Sequence, residues 1–284
     1  MKTKTKAILC ISISLVFLFS AASSPAIGAS PSGGLLNLQS MPMVPVSGQS
    51  NSTAGPSYTK SESFNWAGYA VSGVGVIKEA QGSWVQTKAT CNQTADGDQY
   101  TAFWVGIDGF ASSTVEQTGT LVECAKGSST PHYIAWYEFY PAQAIIVIPG
   151  FKVHVGDLFS ATVLGSKNAS SFTVILNDTT TGQTYTTNSP SGFSGERSSA
   201  ECITEEPAGS SGFFLLAKYA KDPWGIDNTK LIGCTANGKS FGSYGVNAYE
   251  ITDVNENNFK VMDQPTSLSA DGTSFVMIWK SEGP

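Results

Sequence analysis

The sequence has little positive charge. Of its 284 residues, 16 are Lys or Arg against 22 Asp or Glu, Arg197 is the only arginine, and the formal net charge is −6. Proteins that bind nucleic acids use clustered Lys and Arg to neutralise phosphates, and no run of lysines follows residue 6. The composition therefore excludes a basic nucleic-acid-binding protein, and we expect no nucleic-acid partner.

Histidine is scarcer still, since only His132 and His154 are present. A Ser-His-Asp triad needs one of them, and we assign a catalytic role to neither. Zinc sites with two or three histidine ligands fail on number and spacing. The Asp-Thr-Gly turn of pepsin-like peptidases is also missing, because Asp271-Gly272-Thr273 has the wrong order. We therefore expect structural histidines, no metal and no cofactor.

Long apolar runs are absent after the N-terminal segment. Lys2, Lys4 and Lys6 precede an apolar stretch over residues 7–19, and small residues follow it up to Ala29. That stretch is shorter than the ~20 residues that a membrane-spanning helix needs, and the three parts together are those of a secretory signal peptide. We predict a signal peptide over residues 1–29, a secreted protein, and no membrane association after cleavage.

Cysteine is also infrequent, and no pair has the Cys-x-x-Cys spacing of a zinc or redox site. Cys10 lies in the predicted signal peptide, so four cysteines remain in the exported part: Cys91, Cys124, Cys202 and Cys234. An even number in an oxidising compartment indicates two disulfides. Three pairings are open, and proximity in sequence favours Cys91 with Cys124 and Cys202 with Cys234.

Residues 30–60 are rich in Gly, Ser and Pro, with the apolar exception of Met41-Pro42-Met43-Val44-Pro45-Val46. Such a stretch is a linker or a pro-segment. A solvated tail and a removable inhibitor both fit the pattern, although the short length and few charges argue against self-inhibition. Residues 61–284 are predicted to form one domain, which we expect to be a monomer.

Helical periodicity over 11 or more residues is not evident after the signal peptide, whereas short apolar and aromatic runs broken by Gly, Asn, Asp and Pro are frequent. Such runs predict β-strands. The fold class is therefore all-β, a sandwich of two antiparallel sheets, with a hairpin turn at Thr179–Gln183. The predicted strands are Asn65–Val71, Gly82–Gln86, Tyr100–Ile107, Tyr133–Tyr140, Ala144–Ile148, Lys152–Val155, Phe159–Leu164, Phe172–Leu176, Phe213–Ala217 and Phe275–Trp279.

Carboxylates and amides are the remaining candidates for chemistry. Glu201 and Glu205 share one face of a strand, because side chains alternate between faces. Two residues four apart on a regular strand are separated by ~13 Å, whereas a retaining glycosidase needs carboxyl groups ~5 Å apart. A peptidase needs one carboxylate and one neutral donor to the oxyanion, and the Gln117 amide is such a donor. A solvated sheet face with no chemistry remains the plain alternative for the two glutamates.

Six motifs occur in the order found in one known family. They are Asn65-Trp66-Ala67-Gly68-Tyr69, Phe103-Trp104-Val105-Gly106-Ile107-Asp108-Gly109, Gln117-Thr118-Gly119, Trp136-Tyr137-Glu138-Phe139-Tyr140-Pro141, Ala200-Glu201-x-Ile203-x-Glu205 and Asp271-Gly272-Thr273-Ser274-Phe275. On these residues the sequence resembles the glutamic peptidases, or eqolisins, which are secreted, pepstatin-insensitive acid endopeptidases. The motifs span about residues 63 to 279. Cys202 departs from the family pattern, which commonly has an aromatic residue there.

The resemblance implies a sandwich of two bent antiparallel sheets with a groove on the concave side. It implies that Glu205 is the catalytic glutamate, Gln117 the catalytic glutamine, and polypeptides the substrates. Positions that match supporting or substrate-binding residues of the groove are Trp104, Asp108, Glu138, Tyr140, Trp66 and Asn65. A role for these residues in the core or groove wall alone is equally open.

The alternative from another functional class is a secreted carbohydrate-binding, lectin-like sandwich. Trp66, Trp104, Trp136 and Tyr140 would then serve as stacking platforms for sugars. Aromatic side chains at strand spacing more often belong to the core. A glycosidase ranks third.

Overall fold

Two burial patterns distinguish the strands of this protein. In the computed structural model, which describes residues 38–47, 52–53, 58–167, 170–219 and 229–283, the strand Phe172–Asp178 is buried at every second residue. Its outer face meets solvent, as expected for an antiparallel sheet covered on one side. The strands Trp66–Ser72, Gln99–Ile107, Val115–Cys124 and Ser199–Glu205 are instead buried at every residue, so both of their faces are covered.

The strands of the described residues are numbered in chain order. They are β1 (Ser52–Thr53), β2 (Thr59–Ser63), β3 (Trp66–Ser72), β4 (Glu79–Val85), β5 (Ala89–Thr90), β6 (Gln99–Ile107), β7 (Val115–Cys124), β8 (His132–Tyr140), β9 (Gln143–Val147), β10 (Leu158–Gly165), β11 (Phe172–Asp178), β12 (Gln183–Asn188), β13 (Ser199–Glu205), β14 (Ala208–Gly209), β15 (Gly212–Phe213), β16 (Leu215–Leu216), β17 (Lys218–Tyr219), β18 (Lys230–Ala236), β19 (Lys239–Ser240), β20 (Ala248–Val254), β21 (Val261–Pro265) and β22 (Phe275–Trp279).

Pairing arranges most of these strands in two large sheets. The first sheet has the order β2-β20-β3-β13-β6-β7-β8-β9 and is antiparallel except for the β2–β20 pair. The second has the order β12-β11-β10-β4-β18-β22 and is antiparallel throughout. β22 also pairs with β21, which pairs with β20 of the first sheet. The predicted all-β sandwich of antiparallel sheets is confirmed.

The main apolar core lies between the two sheets. It combines residues of the first sheet such as Tyr69 and Phe103 with residues of the second such as Trp84 and Phe159. The bond between Cys202 of β13 and Cys234 of β18 crosses this core, with Cα atoms 6.3 Å apart. Gly82 makes room for it, because a Cβ there would lie 2.7 Å from the Cys202 Sγ.

A second apolar cluster covers the other face of the first sheet. It contains Trp66, Trp104, Trp136 and Ile203, and it also contains Leu38 from the segment before the sandwich. This face of the first sheet is therefore covered by a segment that precedes residues 61–284, the predicted domain.

Two of the predicted strands are corrected by the structure. Residues 152–155 form a loop whose backbone is held by side chains: the Lys152 N–H donates to Gln183 Oε1 at 2.9 Å and the His154 N–H donates to Asp157 Oδ2 at 3.0 Å. The predicted strand Phe213–Ala217 is broken into β15 and β16, each two residues long. The predicted turn at Thr179–Gln183 is confirmed, because β11 and β12 pair from Asp178 and Gln183 onward.

The predicted signal peptide, residues 1–29, lies outside the described residues. The described residues all belong to one compact unit, Gly33–Pro284. The one helical segment among them is a 3₁₀ helix at Phe241–Asn247, and within the described ranges no helix is long and apolar enough to cross a membrane. The other cysteine pair, Cys91 and Cys124, is also disulfide-bonded, with Cα atoms 5.3 Å apart.

Candidate active site

Gln117 and Glu205 lie on the face of the first sheet that carries the second apolar cluster. Gln117 is on β7 and Glu205 ends β13, and β6 runs between these strands. Trp104 of β6 is paired with Gly119 of β7. A Cβ at Gly119 would lie 2.8 Å from the Trp104 Cβ and 2.1 Å from the Phe103 carbonyl oxygen, so only glycine fits there. The glycine of the Gln-Thr-Gly motif thus allows β6 and β7 to approach beside the indole.

Ser40 lies between the two candidate catalytic side chains. Its hydroxyl contacts Glu205 Oε2 and lies 3.2 Å from Gln117 Oε1. The Gln117 Nε2 group donates to the Ser40 carbonyl oxygen and to Glu138 Oε2, both at 2.9 Å. The Ser40 N–H donates to Glu138 Oε2 at 3.1 Å, and the Met41 N–H donates to Glu205 Oε1 at 3.1 Å. A backbone peptide group therefore contacts both members of the pair.

Three side chains of the first sheet complete this arrangement. The Trp104 indole N–H donates to Glu205 Oε2 at 2.8 Å, and the Trp66 indole N–H donates to the Met41 carbonyl oxygen at 3.0 Å. The Asn65 amide donates to Glu205 Oε1 at 3.4 Å. The two indoles pack edge to face with ring centroids 4.9 Å apart, which fixes the direction of both N–H groups.

The segment Leu38–Val46, named the strap below, is bound along the sheet face by backbone hydrogen bonds. Gln39 and Ala208 exchange two of them, at 2.9 and 2.8 Å, and the Leu38 carbonyl accepts one from the Ile145 N–H at 3.2 Å. The Leu38 side chain is only 1 % exposed. The strap is therefore anchored at its start by an apolar side chain and by strand-like pairing.

The other half of the strap is held in the same way. The Val44 N–H donates to Asn65 Oδ1 at 2.9 Å, and its carbonyl accepts from the Phe64 N–H at 2.9 Å. The Val46 N–H donates to the Glu62 carbonyl at 3.2 Å. These contacts are made by backbone and amide groups and not by charged side chains. The small number of charges in residues 30–60 is therefore no obstacle to binding of the strap. The structure thus places residues 38–46 in the groove and not in a solvated tail.

Burial under the strap changes the acidity of the two glutamates. The pKa of Glu205 is raised to about 8 because water is excluded, although hydrogen bonds from Ser40, Trp104 and Met41 oppose the rise. Burial, and then the charge of Glu205, raise the pKa of Glu138 well above its usual value. The expectation that Glu205 titrates near the usual ~4.3 does not hold for this covered form.

The Ser40 hydroxyl lies between two acceptor oxygens. It is the donor toward both Glu205 Oε2 and Gln117 Oε1. A hydroxyl has a single proton, so it donates to one of these oxygens at a time. Donation to Glu205 is among the hydrogen bonds that oppose the rise of the Glu205 pKa.

Two of the residues that the resemblance implied are not brought to the pair. The Asp108 carboxylate accepts hydrogen bonds from the Arg197 N–H and the Ser198 N–H, both at 2.7 Å, and from the Ser198 hydroxyl at 2.8 Å. Asp108 thus holds the loop that leads into β13. Tyr140 is half-buried at the edge of the second apolar cluster. The remaining four, Trp104, Glu138, Trp66 and Asn65, all contact the pair or the strap.

Ser40, Met41 and Leu38 are site residues that the sequence did not reveal. The contacts of Ser40 and Met41 with Glu205 join residues 165 and 164 positions apart, and no local periodicity encodes such contacts. The signal available was the apolar content of residues 41–46 within a Gly/Ser-rich stretch, which indicates that this part of the segment is covered.

Comparisons with known proteins agree with the fold and the site motifs. A profile of the Peptidase A4 family matches residues 64–279. A structure of scytalido-glutamic peptidase with a transition state analog inhibitor superposes with a TM-score of 0.59 at 21% identity, over 76% of this chain and 98% of that one. SCP-B, a member of the eqolisin family in complex with the tripeptide Ala-Ile-His, gives 0.55 at 23% identity, over 76% and 98%. No curated protein sequence matches this chain.

Aspergilloglutamic peptidase from Aspergillus niger gives a TM-score of 0.52 at 23% identity, over 64% of this chain and 99% of that one. At these identities the structural matches show the fold, which is the double antiparallel sheet of the glutamic peptidases. The family profile covers most of the chain. The chain belongs to the Peptidase A4 family, the eqolisins.

Proposed function

We propose that the protein is a secreted acid endopeptidase in which Glu205 acts first as general base and then as general acid, while Gln117 stabilises the oxyanion. One observation carries the proposal. The Ser40–Met41 peptide bond has its carbonyl oxygen 2.9 Å from Gln117 Nε2 and its nitrogen 3.1 Å from Glu205 Oε1. These are the contacts that a scissile peptide needs with an oxyanion donor and with the acid that protonates the leaving amine.

The proposed reaction begins when the strap has left and a water occupies the site. Ionised Glu205 takes a proton from the water as its oxygen bonds to the scissile carbonyl carbon. The Gln117 N–H donates to the oxyanion that forms. The carbon–nitrogen bond then breaks, and Glu205 returns the proton to the leaving amine, which balances the hydrolysis. Departure of the strap restores solvent to Glu205 and so lowers its pKa from the value of the covered form.

Substrate recognition is proposed to rest on the peptide backbone. Trp66 and Asn65 bind two carbonyl groups of the strap, those of Met41 and Pro42. Groups that read the backbone accept many sequences, so polypeptides with varied side chains fit the site. The transition state analog bound to scytalido-glutamic peptidase and the tripeptide bound to SCP-B support this substrate class. The predicted signal peptide and the two disulfides support secretion.

The buried indoles favour this proposal over a carbohydrate-binding module. Trp66, Trp104 and Trp136 are each 0% exposed, and the N–H groups of the first two are used on the strap and on Glu205. A stacking platform presents a flat face to solvent, and none of these three does so in the described residues.

A comparison of matched variants tests the proposal. Secreted full-length protein is incubated with an acid-denatured protein substrate at about pH 4, close to the usual glutamate pKa, in the presence of pepstatin. We expect hydrolysis by the wild type and losses of about 10²–10³-fold or more for Gln117→Ala, because one oxyanion donor is lost. Glu205→Gln should be at least as impaired.

The control is Glu201→Gln, which makes the same change at a fully buried glutamate of the same strand. Its rate should stay within a few-fold of wild type. Circular dichroism checks that all variants are folded. Wild-type rates in Glu205→Gln would refute the assignment, and equal losses in both glutamate variants would attribute the effect to the strand rather than to the catalytic carboxylate.

A further inference from the structure

The strap is bound as a substrate would be, but its Ser40 hydroxyl lies between the two catalytic side chains. Its Ser40–Met41 peptide meets both catalytic side chains. The Ser40 hydroxyl also lies between them, against Glu205 Oε2 and 3.2 Å from Gln117 Oε1. Those two oxygens are the groups that would hold the attacking water in the proposed function, on which this inference rests.

We propose that the Ser40 hydroxyl occupies the position of the attacking water, so that the strap presents the Ser40–Met41 bond without being cleaved and keeps the enzyme latent. Removal of that hydroxyl would turn the same bond into a self-cleavage site. The proposal follows from the contacts of Ser40 with both catalytic side chains and from its complete burial between them.

The hydroxyl cannot replace the water chemically. Attack by Ser40 Oγ on its own carbonyl carbon would close a four-membered ring, so this oxygen blocks the position without reacting. It faces the same two oxygens that the water would face, and it can donate its one proton to either of them. The blocked arrangement is therefore stable as well as unreactive.

The rest of the strap is well placed to hold this arrangement. Glu138 binds the Ser40 N–H at 3.1 Å, Trp66 binds the Met41 carbonyl at 3.0 Å, and Leu38 is buried in the second apolar cluster. Substitution of Ser40 alone leaves all three contacts intact. A glycine at position 40 would remove the hydroxyl and the Cβ, which opens the space that a water molecule needs.

In the variant, the water that fills the vacated space would also hydrate Glu205 and lower the pKa that burial raises, so that the ionised carboxyl could take a proton from it. The water oxygen would bond to the carbonyl carbon of residue 40, the bond to the nitrogen of Met41 would break, and Glu205 would return the proton to that nitrogen. One water is consumed, and a carboxyl group at residue 40 and an amine at Met41 are formed. No other reactant is needed. The product is a mature chain that begins at Met41.

The test compares Ser40→Gly with wild type, Ser40→Thr and Leu38→Ala, all as secreted full-length chains moved to about pH 4, near the usual glutamate pKa. Ser40→Thr keeps the hydroxyl. Leu38→Ala loosens the apolar anchor without touching the water position. Intact mass and N-terminal sequencing follow the appearance of Met41, and hydrolysis of an added denatured protein is measured in parallel.

We expect Ser40→Gly to produce the Met41 N-terminus at least ten-fold faster than wild type and Ser40→Thr. The rate should not depend on protein concentration, because the bond is cleaved within one chain. It should be abolished by adding Glu205→Gln. Leu38→Ala should become more active on added substrate without enrichment of the Met41 terminus.

Four results would overturn the inference. Hydrolysis of added substrate by Ser40→Gly with an intact 40–41 bond would leave the proposed function standing alone. Equal cleavage in wild type and Ser40→Gly, or cleavage that persists with Glu205→Gln, would show that the hydroxyl is not the block. Failure of every variant on added substrate would reject the proposed function together with this inference.

Discussion

At the scale of single residues, the orientation of one amide decides whether the proposed chemistry can occur. Gln117 has two N–H groups on Nε2, and both are used: one on the Ser40 carbonyl and one on Glu138 Oε2. An amide can rotate and exchange its oxygen for its nitrogen. Glu138 Oε2 accepts hydrogen bonds from this nitrogen and from the Ser40 N–H, and the first contact holds the nitrogen toward the carbonyl. Glu138 is thus a positioning residue for the proposed oxyanion donor.

Replacement of Glu138 tests this role. We expect Glu138→Ala to lower kcat by about 10–100-fold, part of the loss for removing an oxyanion donor, with a smaller change in KM. Glu138→Gln should recover most of the activity, because its amide oxygen can accept the same N–H. The measurement is kcat and KM on a peptide substrate with protein freed of its strap. Equal impairment of both variants would indicate that the charge of Glu138 matters instead.

At the scale of elements, β13 was accessible from sequence, whereas β7 was not among the predicted strands and the binding of the strap was not predicted. Alternation on β13 places Glu201 and Glu205 on one face, and the motif containing Gln117 is short and ordered. The loop at 152–155 was mistaken for a strand because Val153 and Val155 alternate with polar residues, although side chains and not a neighbouring strand satisfy its backbone. The strap could not be predicted, since its binding depends on residues distant in sequence.

The disulfide between β13 and β18 supplies an element-scale prediction. The two disulfides close loops of nearly equal length, with separations of 32 and 33 residues, so their effects on the unfolded chain should be alike at about 2–4 kcal/mol. Cys202 and Cys234 are both 0% exposed in the core between the sheets, whereas Cys91 is 8% exposed. We expect the double variant Cys202→Ala/Cys234→Ala to lose more stability than Cys91→Ala/Cys124→Ala, because it also leaves a cavity.

Denaturant unfolding at one pH measures both variants against the wild type. Cys202 points into the core and away from the groove, so activity at low temperature should persist in the first variant. A larger loss for the Cys91 pair would contradict the packing argument.

At the scale of the whole molecule, many of the carboxyl groups are buried rather than exposed to solvent. Besides Glu138 and Glu205, burial raises the pKa of a further set of carboxyl groups well above the usual values: Glu116, Glu201, Glu206 and Asp253. Burial raises the pKa of Asp263 to about 7, although hydrogen bonds from the Tyr219 hydroxyl and the Gln264 N–H oppose the rise. These groups favour a folded state in which the carboxyls are protonated.

The sign of the pH dependence follows from these raised values. In the unfolded chain the same groups titrate near pH 4, so between pH 4 and about 7 to 8 the folded protein binds more protons than the unfolded one. The free energy of unfolding then falls as pH rises across that window. The stabilisation is fully present below about pH 4 and is lost as each folded-state pKa is passed. Stabilisation at low pH agrees with the proposed activity in acid, and it counteracts the acid denaturation that is usual for proteins.

Thermal unfolding of the full chain between pH 4 and pH 8 tests this behaviour. We expect the Tm to be lower at pH 8 by at least about 5 °C, since about 1 kcal/mol shifts the Tm of a protein of this size by about 2–4 °C and several groups contribute. Asp263→Asn, whose amide oxygen can still accept from the Tyr219 hydroxyl, should make the Tm less dependent on pH near pH 7. Hydrogen bonds from Ser269 and Thr273 lower the pKa of the exposed Asp271. Asp271 therefore changes the pH dependence of stability only below this window. A Tm that rises from pH 4 to pH 8 would show that the buried carboxyls are ionised at no cost to folding.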